Sequence, residues 1–288
     1  MDIVIHDDLD LKAIAESGQC FRWTPLEDGA FQVIAFGKVR RFSFDEKKKI
    51  LTVDCGKKEW DDLWYSYLDL DEDYGAVRKA ILPEDPFLQE AAEEGEGIRI
   101  LRQDIWEMVV TFIISQRKSI PAIRTAVEAL SAKAGRPLRG KDGAAGYAFP
   151  SISSLRRLTM DELLACGLGY RARYIYNLCR LVTMKELEAW RDLPDEELLE
   201  ALMALPGVGY KVAYCIMLFG YHRTDAFPRD VWILRMLHEW YPEGYPAERY
   251  APWNGLMQQY LFAWYRKTHR SSALFERARP SSNYRMKS

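Results

Sequence analysis

The first part of the chain alternates between short apolar segments and polar turns. Three segments rich in Val, Ile and Phe are separated by Gly37-Lys38 and by a charged run at 45–49. Short β-prone segments with turn residues between them predict antiparallel strands. The predicted strands are residues 31–36, 39–44 and 50–53. This region therefore predicts a small antiparallel sheet, with a helical turn before it at 9–15.

Apolar residues then repeat at helical spacing. Trp60, Trp64 and Leu68 lie on one face of a helix that closes the sheet region. Residues 105–114 are almost all apolar, which favours a buried central helix, although periodicity alone leaves a strand open. Further helices are predicted at 120–132, 152–157, 160–166, 171–184, 195–204, 211–219, 231–240 and 253–265.

These patterns predict an α+β fold, with a small N-terminal antiparallel β-sheet lobe followed by a mainly α-helical domain. We predict the lobe at residues 1–85 and the helical domain at 86–270. The basic segment 271–288 is predicted to be a flexible tail. A chain of 288 residues is long enough to bury the cores of two such units.

Composition is that of an ordinary globular protein, with 48% hydrophobic and 28% charged residues and a net charge of −2. The N-terminus lacks a signal pattern, and no apolar run reaches the length of a membrane span. The five cysteines are scattered without a Cys-x-x-Cys pair, which argues against a disulfide framework or a metal site. We therefore expect a cytoplasmic protein (nucleoid-associated if bacterial) with no membrane partner, no metal and no cofactor.

Charge is distributed unevenly along the chain. Residues 59–96 contain thirteen acidic and two basic side chains, whereas residues 117–141 contain seven basic and one acidic. Such runs are explained equally well by two solvated faces and by a basic face that meets a polyanion. Charge alone leaves both interpretations open.

The stretch "LPGVGYKVAYCIMLFGYHRTDAFPRDVW" (205–232) joins two predicted helices through a Pro-Gly-x-Gly turn. Gly207 and Gly209 permit a tight turn and leave backbone N–H groups uncovered at a helix start, where one phosphate could bind. An ordinary helix connection would explain the turn equally well. Lys211 changes the balance, because an ammonium at the positive end of the helix dipole is disfavoured and its pKa is expected to fall. Such an amine is suited to act as a nucleophile.

Asp230 follows Lys211 by nineteen residues and immediately precedes the predicted helix 231–240. Its simplest role is to cap that helix. Capping does not exclude chemistry, since a capping carboxylate is fixed in position and can oppose a positive charge that forms on a sugar.

Five ordered motifs carry a resemblance that spans most of the chain. They are "SGQCFRW" (17–23), "LRQD" (101–104), "GLGYRARY" (167–174), "LPGVGYKVAYC" (205–215) and "PRDV" (228–231). With these motifs the chain resembles the 8-oxoguanine DNA glycosylase family of the helix-hairpin-helix superfamily. The resemblance implies a monomeric base-excision repair enzyme that acts on double-stranded DNA containing 8-oxoguanine.

The resemblance also implies the chemistry. Lys211 would attack C1′ of an extruded nucleotide and expel the damaged base, and the resulting Schiff base would allow β-elimination 3′ to the abasic site. Asp230 would stabilise the positive charges that develop. A chain with both residues is expected to be a glycosylase and a lyase.

Base recognition is implied for five residues. The carbonyl of Gly18 would accept the N7–H that distinguishes 8-oxoguanine from guanine. Cys215 and Phe262 would pack on the two faces of the base, Gln258 would read its Watson–Crick edge, and Pro228 would line the same site. Without the resemblance, each would pass for an ordinary turn or core residue.

The remaining family positions contact DNA. Tyr170 and Arg171 match the wedge and the reader of the opposite base, and Arg117 matches the residue that fills the gap left by the flipped nucleotide. Further DNA contacts are implied for Gly207, Gly209, Val212 and Trp232.

Four positions depart from the family pattern. Arg117 replaces an asparagine, and Ala122 replaces a second arginine that reads the opposite cytosine. Trp232 and Tyr265 together replace a phosphate-contacting histidine and its supporting aspartate. These departures leave open which opposite base is preferred.

Two other functions stay open from the sequence. One is a helix-hairpin-helix module that binds DNA without catalysis, against which Lys211 and Asp230 argue. The other is a glycosylase for another lesion, such as an alkylated purine or an oxidised pyrimidine. The relatives of the endonuclease III kind and those that remove mismatched adenine usually carry four cysteines for an iron–sulfur cluster near the C-terminus, whereas no cysteine follows Cys215 here.

Overall fold

The computed structural model describes residues 1–140, 143 and 145–269, so the predicted tail at 271–288 lies outside the described residues. None of the helices within these ranges combines the length and apolar character that a membrane crossing requires.

A five-stranded antiparallel sheet forms the first part of the fold, with its strands in the order β1-β5-β4-β3-β2. In the central pair of strands, Phe31 lies opposite Phe42. A separate two-stranded sheet pairs β6 with β7. The strands are β1 (Asp2–Val4), β2 (Trp23–Pro25), β3 (Phe31–Ala35), β4 (Lys38–Asp45), β5 (Ile50–Val53), β6 (Pro137–Arg139) and β7 (Ala145–Tyr147). The three predicted strands correspond to β3, β4 and β5.

Helices make up most of the remaining structure, and with the sheet they confirm the predicted α+β fold class. The α-helices are α1 (Leu11–Glu16), α2 (Lys57–Glu59), α3 (Tyr65–Tyr67), α4 (Tyr74–Lys79), α5 (Pro86–Glu94), α6 (Ile105–Ser115), α7 (Ile120–Ala134), α8 (Ile152–Arg156), α9 (Met160–Ala165), α10 (Arg171–Leu181), α11 (Met184–Ala189), α12 (Asp195–Met203), α13 (Tyr210–Phe219), α14 (Val231–Trp240), α15 (Ala247–Tyr250) and α16 (Asn254–His269). A π-helix spans Trp60–Trp64 and a 3-10 helix spans Trp190–Asp192.

Two predicted helices differ from the structure in an informative way. The helix predicted at 171–184 ends earlier, at Leu181, because Val182 is extended and Thr183 caps the next helix, α11, through a capping box with Glu186. The helix predicted around Trp60 contains a π-helical turn, which buries Trp60 and Trp64 against the sheet.

The central apolar segment is the helix α6, as favoured by its length, and all of Ile105–Ile114 is buried. It lies in the main core with α7, α10 and α13 packed around it. The sheet has its own core, which Trp23, Phe42 and Trp64 fill with edge-to-face ring contacts. The predicted boundary between the two units, at residue 85, stays a prediction.

Arg99 ties the sheet region to the helices after it. Its side chain is fully buried and donates to the carboxylate of Asp7 at 2.7 Å. It also donates to the backbone carbonyls of Leu68, Asp8, Asp69 and Glu72. A buried guanidinium with its donors satisfied fixes its neighbours, since any displacement leaves a charge without partners.

Candidate active site

The helix α13 begins directly after the predicted hairpin turn. Gly207 has φ +80°, and a Cβ there would lie 2.4 Å from the ring of Tyr174, so only glycine fits. The carbonyl of Gly207 accepts from Gln116 Nε2 at 3.0 Å. Gly209 precedes α13, and no side chain caps this helix start. The first N–H groups of α13, including that of Val212, therefore remain open to an anion.

Lys211 lies on the first turn of α13 and is half-buried. Its Nζ is 5.8 Å from the centroid of the Phe112 ring, so the amine faces the core instead of extending into solvent. Cys215 follows one helical turn later on the same face and is buried. Lys211 and Cys215 interact through their side chains.

The pKa of Lys211 is raised above its ordinary value. Burial is the largest single influence and lowers the pKa, but the Cys215 sulfur and the Asp230 carboxylate together outweigh it. The lowered pKa expected from the helix dipole is therefore wrong for the resting protein, since those two groups stabilise the ammonium more than burial destabilises it. Burial also raises the pKa of Cys215, which is consequently a neutral thiol near pH 7.

Asp230 caps α14, as predicted. One carboxylate oxygen accepts from the backbone N–H groups of Trp232 at 3.0 Å and Ile233 at 2.9 Å. The carboxylate is thereby held at one position. Its effect on the pKa of Lys211 shows that the amine lies within its electrostatic reach.

Gly18 and Phe262 lie against each other, although they come from opposite ends of the chain. Gly18 has φ +81°, and a Cβ there would lie 3.3 Å from the Phe262 ring and 3.7 Å from Ile120. Ile120 was not singled out from the sequence, because an apolar residue at a helix start gives no specific signal.

Two adjacent glutamines are buried on α16, one turn before Phe262. Gln259 Nε2 donates to Gln258 Oε1 at 2.8 Å, which fixes the side chain predicted to read the base. Gln259 was missed from the sequence, although a buried Gln-Gln pair is unusual in a core. Pro228 is also buried, two residues before Asp230.

The residues predicted to face the opposite strand are joined by direct contacts. Arg171 stacks on Tyr170, with its guanidinium carbon 4.4 Å from the ring centroid. It also donates to the carbonyl of Gln116, next to Arg117. Tyr170 is 51% exposed, as a wedge requires. Arg117 is exposed and has φ +51°, so its side chain projects from a sharp bend between α6 and α7.

The positions that depart from the family pattern also have defined surroundings. The rings of Trp232 and Tyr265 are in contact, with centroids 5.0 Å apart. Ala122 lies half-buried on the first turn of α7, and its N–H is bound by the capping Ser119. The structure thus shows the two substituted positions, Trp232 and Tyr265, as one aromatic pair.

Comparison with known proteins places the chain in a family. The family model described as "8-oxoguanine DNA glycosylase, N-terminal domain" matches residues 3–109. The model "HhH-GPD superfamily base excision DNA repair protein" matches residues 110–249. A solved structure of a Clostridium acetobutylicum 8-oxoguanine glycosylase/lyase, in complex with double-stranded DNA containing cytosine opposite 8-oxoguanine, is 34% identical with a TM-score of 0.85. The match covers 93% of this chain and 98% of that one.

The chain belongs to the 8-oxoguanine DNA glycosylase family. The predicted family, a base-excision DNA repair family of the helix-hairpin-helix superfamily, is confirmed. The N-glycosylase/DNA lyase of Saccharomyces cerevisiae is 29% identical over 80% of this chain and 67% of its own length. That of Arabidopsis thaliana is 30% identical over 79% of this chain and 65% of its own length. This glycosylase thus spans about two thirds of these two curated relatives.

We predict that Gly18→Ala impairs base recognition more than strand cleavage. The new methyl group would press on Phe262 and move the Gly18 carbonyl, so excision of 8-oxoguanine should fall by about tenfold more than cleavage at a preformed abasic site, equivalent to about 1.4 kcal/mol. Both rates would be measured under single-turnover conditions.

Gly29→Ala is the matched control. Gly29 also has φ +81°, but a Cβ there meets nothing within 4 Å. It carries the same backbone strain without the contact, and should leave the ratio of the two rates unchanged. Equal losses on both substrates for Gly18→Ala would reduce Gly18 to a folding residue.

Proposed function

We propose that this glycosylase excises 8-oxoguanine from double-stranded DNA and then cleaves the strand 3′ to the abasic site, with Lys211 as the nucleophile. The observation that carries the proposal is the half-buried amine of Lys211, which lies within the electrostatic reach of the capping carboxylate of Asp230. The family supports the same activity, because its members named above are N-glycosylase/DNA lyases.

The first step breaks the bond between C1′ and the base. As the base departs, positive charge develops on the sugar, and the fixed carboxylate of Asp230 stabilises it without reorganising. The neutral amine of Lys211 forms a bond to C1′ as the bond between C1′ and the base breaks. The ammonium adduct that results releases one proton, and the expelled base takes up one proton. Because the raised pKa keeps the resting amine protonated, deprotonation of Lys211 precedes its attack.

The second step cleaves the strand. Opening of the sugar ring breaks the C1′–O4′ bond, O4′ takes up a proton to become a hydroxyl, and the Lys211–C1′ adduct becomes a protonated Schiff base. Loss of a proton from C2′ then expels the 3′ phosphate by β-elimination. An amine nucleophile makes this step possible, whereas a water nucleophile would stop at the abasic site.

Recognition of the base would use the contact between Gly18 and Phe262. The Gly18 carbonyl would accept N7–H of 8-oxoguanine and repel the N7 lone pair of guanine. Phe262 and Cys215 would pack on the faces of the base, and Gln258, held by Gln259, would bind its edge. Pro228 would complete this site beside Asp230.

Extrusion of the nucleotide would use the residues around Tyr170 together with the hairpin turn. Tyr170 would wedge into the duplex and Arg171 would face the estranged base, while Arg117 would fill the gap and offset part of the unstacking cost. Gly207, Gly209 and Val212 would present backbone N–H groups to a phosphate. Trp232 would lie along the lesion-bearing strand. We propose that the enzyme acts as a monomer.

We predict that borohydride traps the protein covalently on an 8-oxoguanine duplex, and that Lys211→Gln abolishes trapping. Reduction of the Schiff base makes the link permanent, so a denaturing gel reports the nucleophile directly. Lys185→Gln is the matched control, because Lys185 is an exposed lysine on α11. Full trapping by Lys211→Gln would assign the nucleophile to another amine.

We predict that trapping on abasic DNA rises with pH through the neutral range, by about tenfold per pH unit below the pKa of Lys211. Only the neutral amine reacts, and the raised pKa places most of it in the ammonium form. Asp230→Asn removes a charge that raises this pKa, so the profile should shift to lower pH.

The same variant separates capping from catalysis. Asparagine caps a helix about as well as aspartate, whereas alanine loses about 1 kcal/mol. Asp230→Asn should therefore keep the stability of the native chain in urea unfolding but lose base excision, and Asp230→Ala should lose both. A pH profile that Asp230→Asn leaves unmoved would contradict the proposed coupling.

We predict relaxed reading of the opposite base. Reading a base through one good contact is worth about 1–3 kcal/mol. Because Ala122 provides no donor, the preference for cytosine should be about tenfold or more weaker than in Ala122→Arg, with excision itself intact. The measurement is single-turnover excision opposite C, A, G and T. If the native chain excises 8-oxoguanine only opposite cytosine, and Arg117→Ala leaves this dependence unchanged, the prediction of relaxed reading is wrong.

A further inference from the structure

Arg235 lies exposed on α14, one turn after the helix begins, and is held by two aromatic residues. Its guanidinium carbon is 4.9 Å from the centroid of the Trp232 ring. Arg235 also interacts with the side chain of Tyr265 on α16, and the rings of Trp232 and Tyr265 contact each other. A guanidinium with a stacking partner and a second aromatic partner has lost much of its freedom before any ligand arrives.

This arginine lies beside the proposed chemistry. Asp230 caps the same helix, and its charge raises the pKa of both Tyr265 and Lys211. Tyr265, which holds Arg235, is therefore within electrostatic reach of Asp230. Because the proposed mechanism places the sugar attacked by Lys211 at Asp230, the phosphates that flank this sugar would lie near the start of α14.

Charge balance at this place calls for a fixed cation. The phosphates and Asp230 repel each other, and Lys211 is neutral when it attacks. Glu239, on the next turn of α14, adds a further negative charge near Tyr265. Arg235 supplies a permanent positive charge, and its planar fork matches two phosphate oxygens.

We propose that Arg235 binds a backbone phosphate of the lesion-bearing strand, and that Trp232 and Tyr265 form the platform that positions its guanidinium. The proposal rests on the proposed function, because it is the strand attacked by Lys211 that passes Asp230. The alternative is that the stack only packs α14 against α16, in which case its loss affects stability and not the ionic part of DNA binding.

The test is the salt dependence of binding to a duplex that contains a tetrahydrofuran abasic-site analogue, which has no base to excise. Each phosphate contact contributes about 0.9 to the slope of log Kobs against log salt concentration. Arg235→Gln should lower the slope by about that amount and weaken binding, whereas Arg235→Lys should keep the slope. Tyr265→Phe should keep the slope but weaken binding, since the guanidinium loses one positioning contact.

Arg180→Gln is the matched control. Arg180 is also exposed and stacked, 3.5 Å from the centroid of the Tyr176 ring, but it lies near the C-terminal end of α10. That end is about 14 Å along the helix axis from Arg171 at its start. This variant should leave the salt slope unchanged.

An unchanged slope for Arg235→Gln, with a lower melting temperature, would overturn the proposal in favour of a packing role. Borohydride trapping of the native chain, run in parallel, distinguishes failure of the Arg235 phosphate contact from failure of the proposed catalysis. Trapping with an unchanged slope refutes the Arg235 contact alone, whereas absence of trapping by the native chain refutes the proposed catalysis and leaves the slope to decide the phosphate contact.

Discussion

The buried side chain of Gln19 is the constraint on which the base site depends. Its oxygen accepts from Leu101 N at 2.8 Å, and its nitrogen donates to the Arg99 carbonyl at 2.8 Å and to Ser17 Oγ at 2.9 Å. The backbone carbonyl of Gln19 accepts from Gln103 Nε2. Each donor or acceptor of a buried amide that loses its partner costs about 1–3 kcal/mol. The loop carrying Gly18 therefore cannot slide along the 99–103 segment. Gly18 is thereby held against Phe262.

The N-terminal sheet consequently acts as a support that positions one glycine. The backbone carbonyl of Arg99 accepts from the Gln19 side chain. The guanidinium of Arg99 in turn anchors the sheet region by donating to five acceptors on neighbouring residues. Phe262 comes from the last described helix, so the base site closes only when the Gly18 loop and α16 are both in place.

The sequence predicted the elements whose pattern is local. The helices α6, α13 and α14 and the strands β3, β4 and β5 follow from apolar spacing and turn residues, and the cap at Asp230 follows from its place before α14. The edge strands β1 and β2 were missed, since three residues cannot show an alternating pattern. The family resemblance assigned Gly18 and Phe262 to one base site, but the contact between them follows from no local pattern and was not predicted.

The pKa of Lys211 shows where a local rule fails. The helix dipole alone favours a neutral amine, but the fold places Asp230 from a later helix and Cys215 from the next turn beside it, and the net effect is opposite. Sequence spacing gives no measure of that through-space balance.

The raised pKa gives the proposed reaction a consistent flow of protons. An ammonium beside Asp230 is unreactive, so the resting protein does not present a free nucleophile to other electrophiles. The reaction needs the amine to release a proton and the departing base to take one up, while the thiol of Cys215 stays neutral. A base that accepts the proton as it leaves would couple the activation of Lys211 to the breaking of the glycosidic bond. Asp230 would then serve in sequence as the counter-ion of the ammonium, of the sugar cation and of the protonated adduct, which is possible because two backbone N–H groups keep it in place throughout.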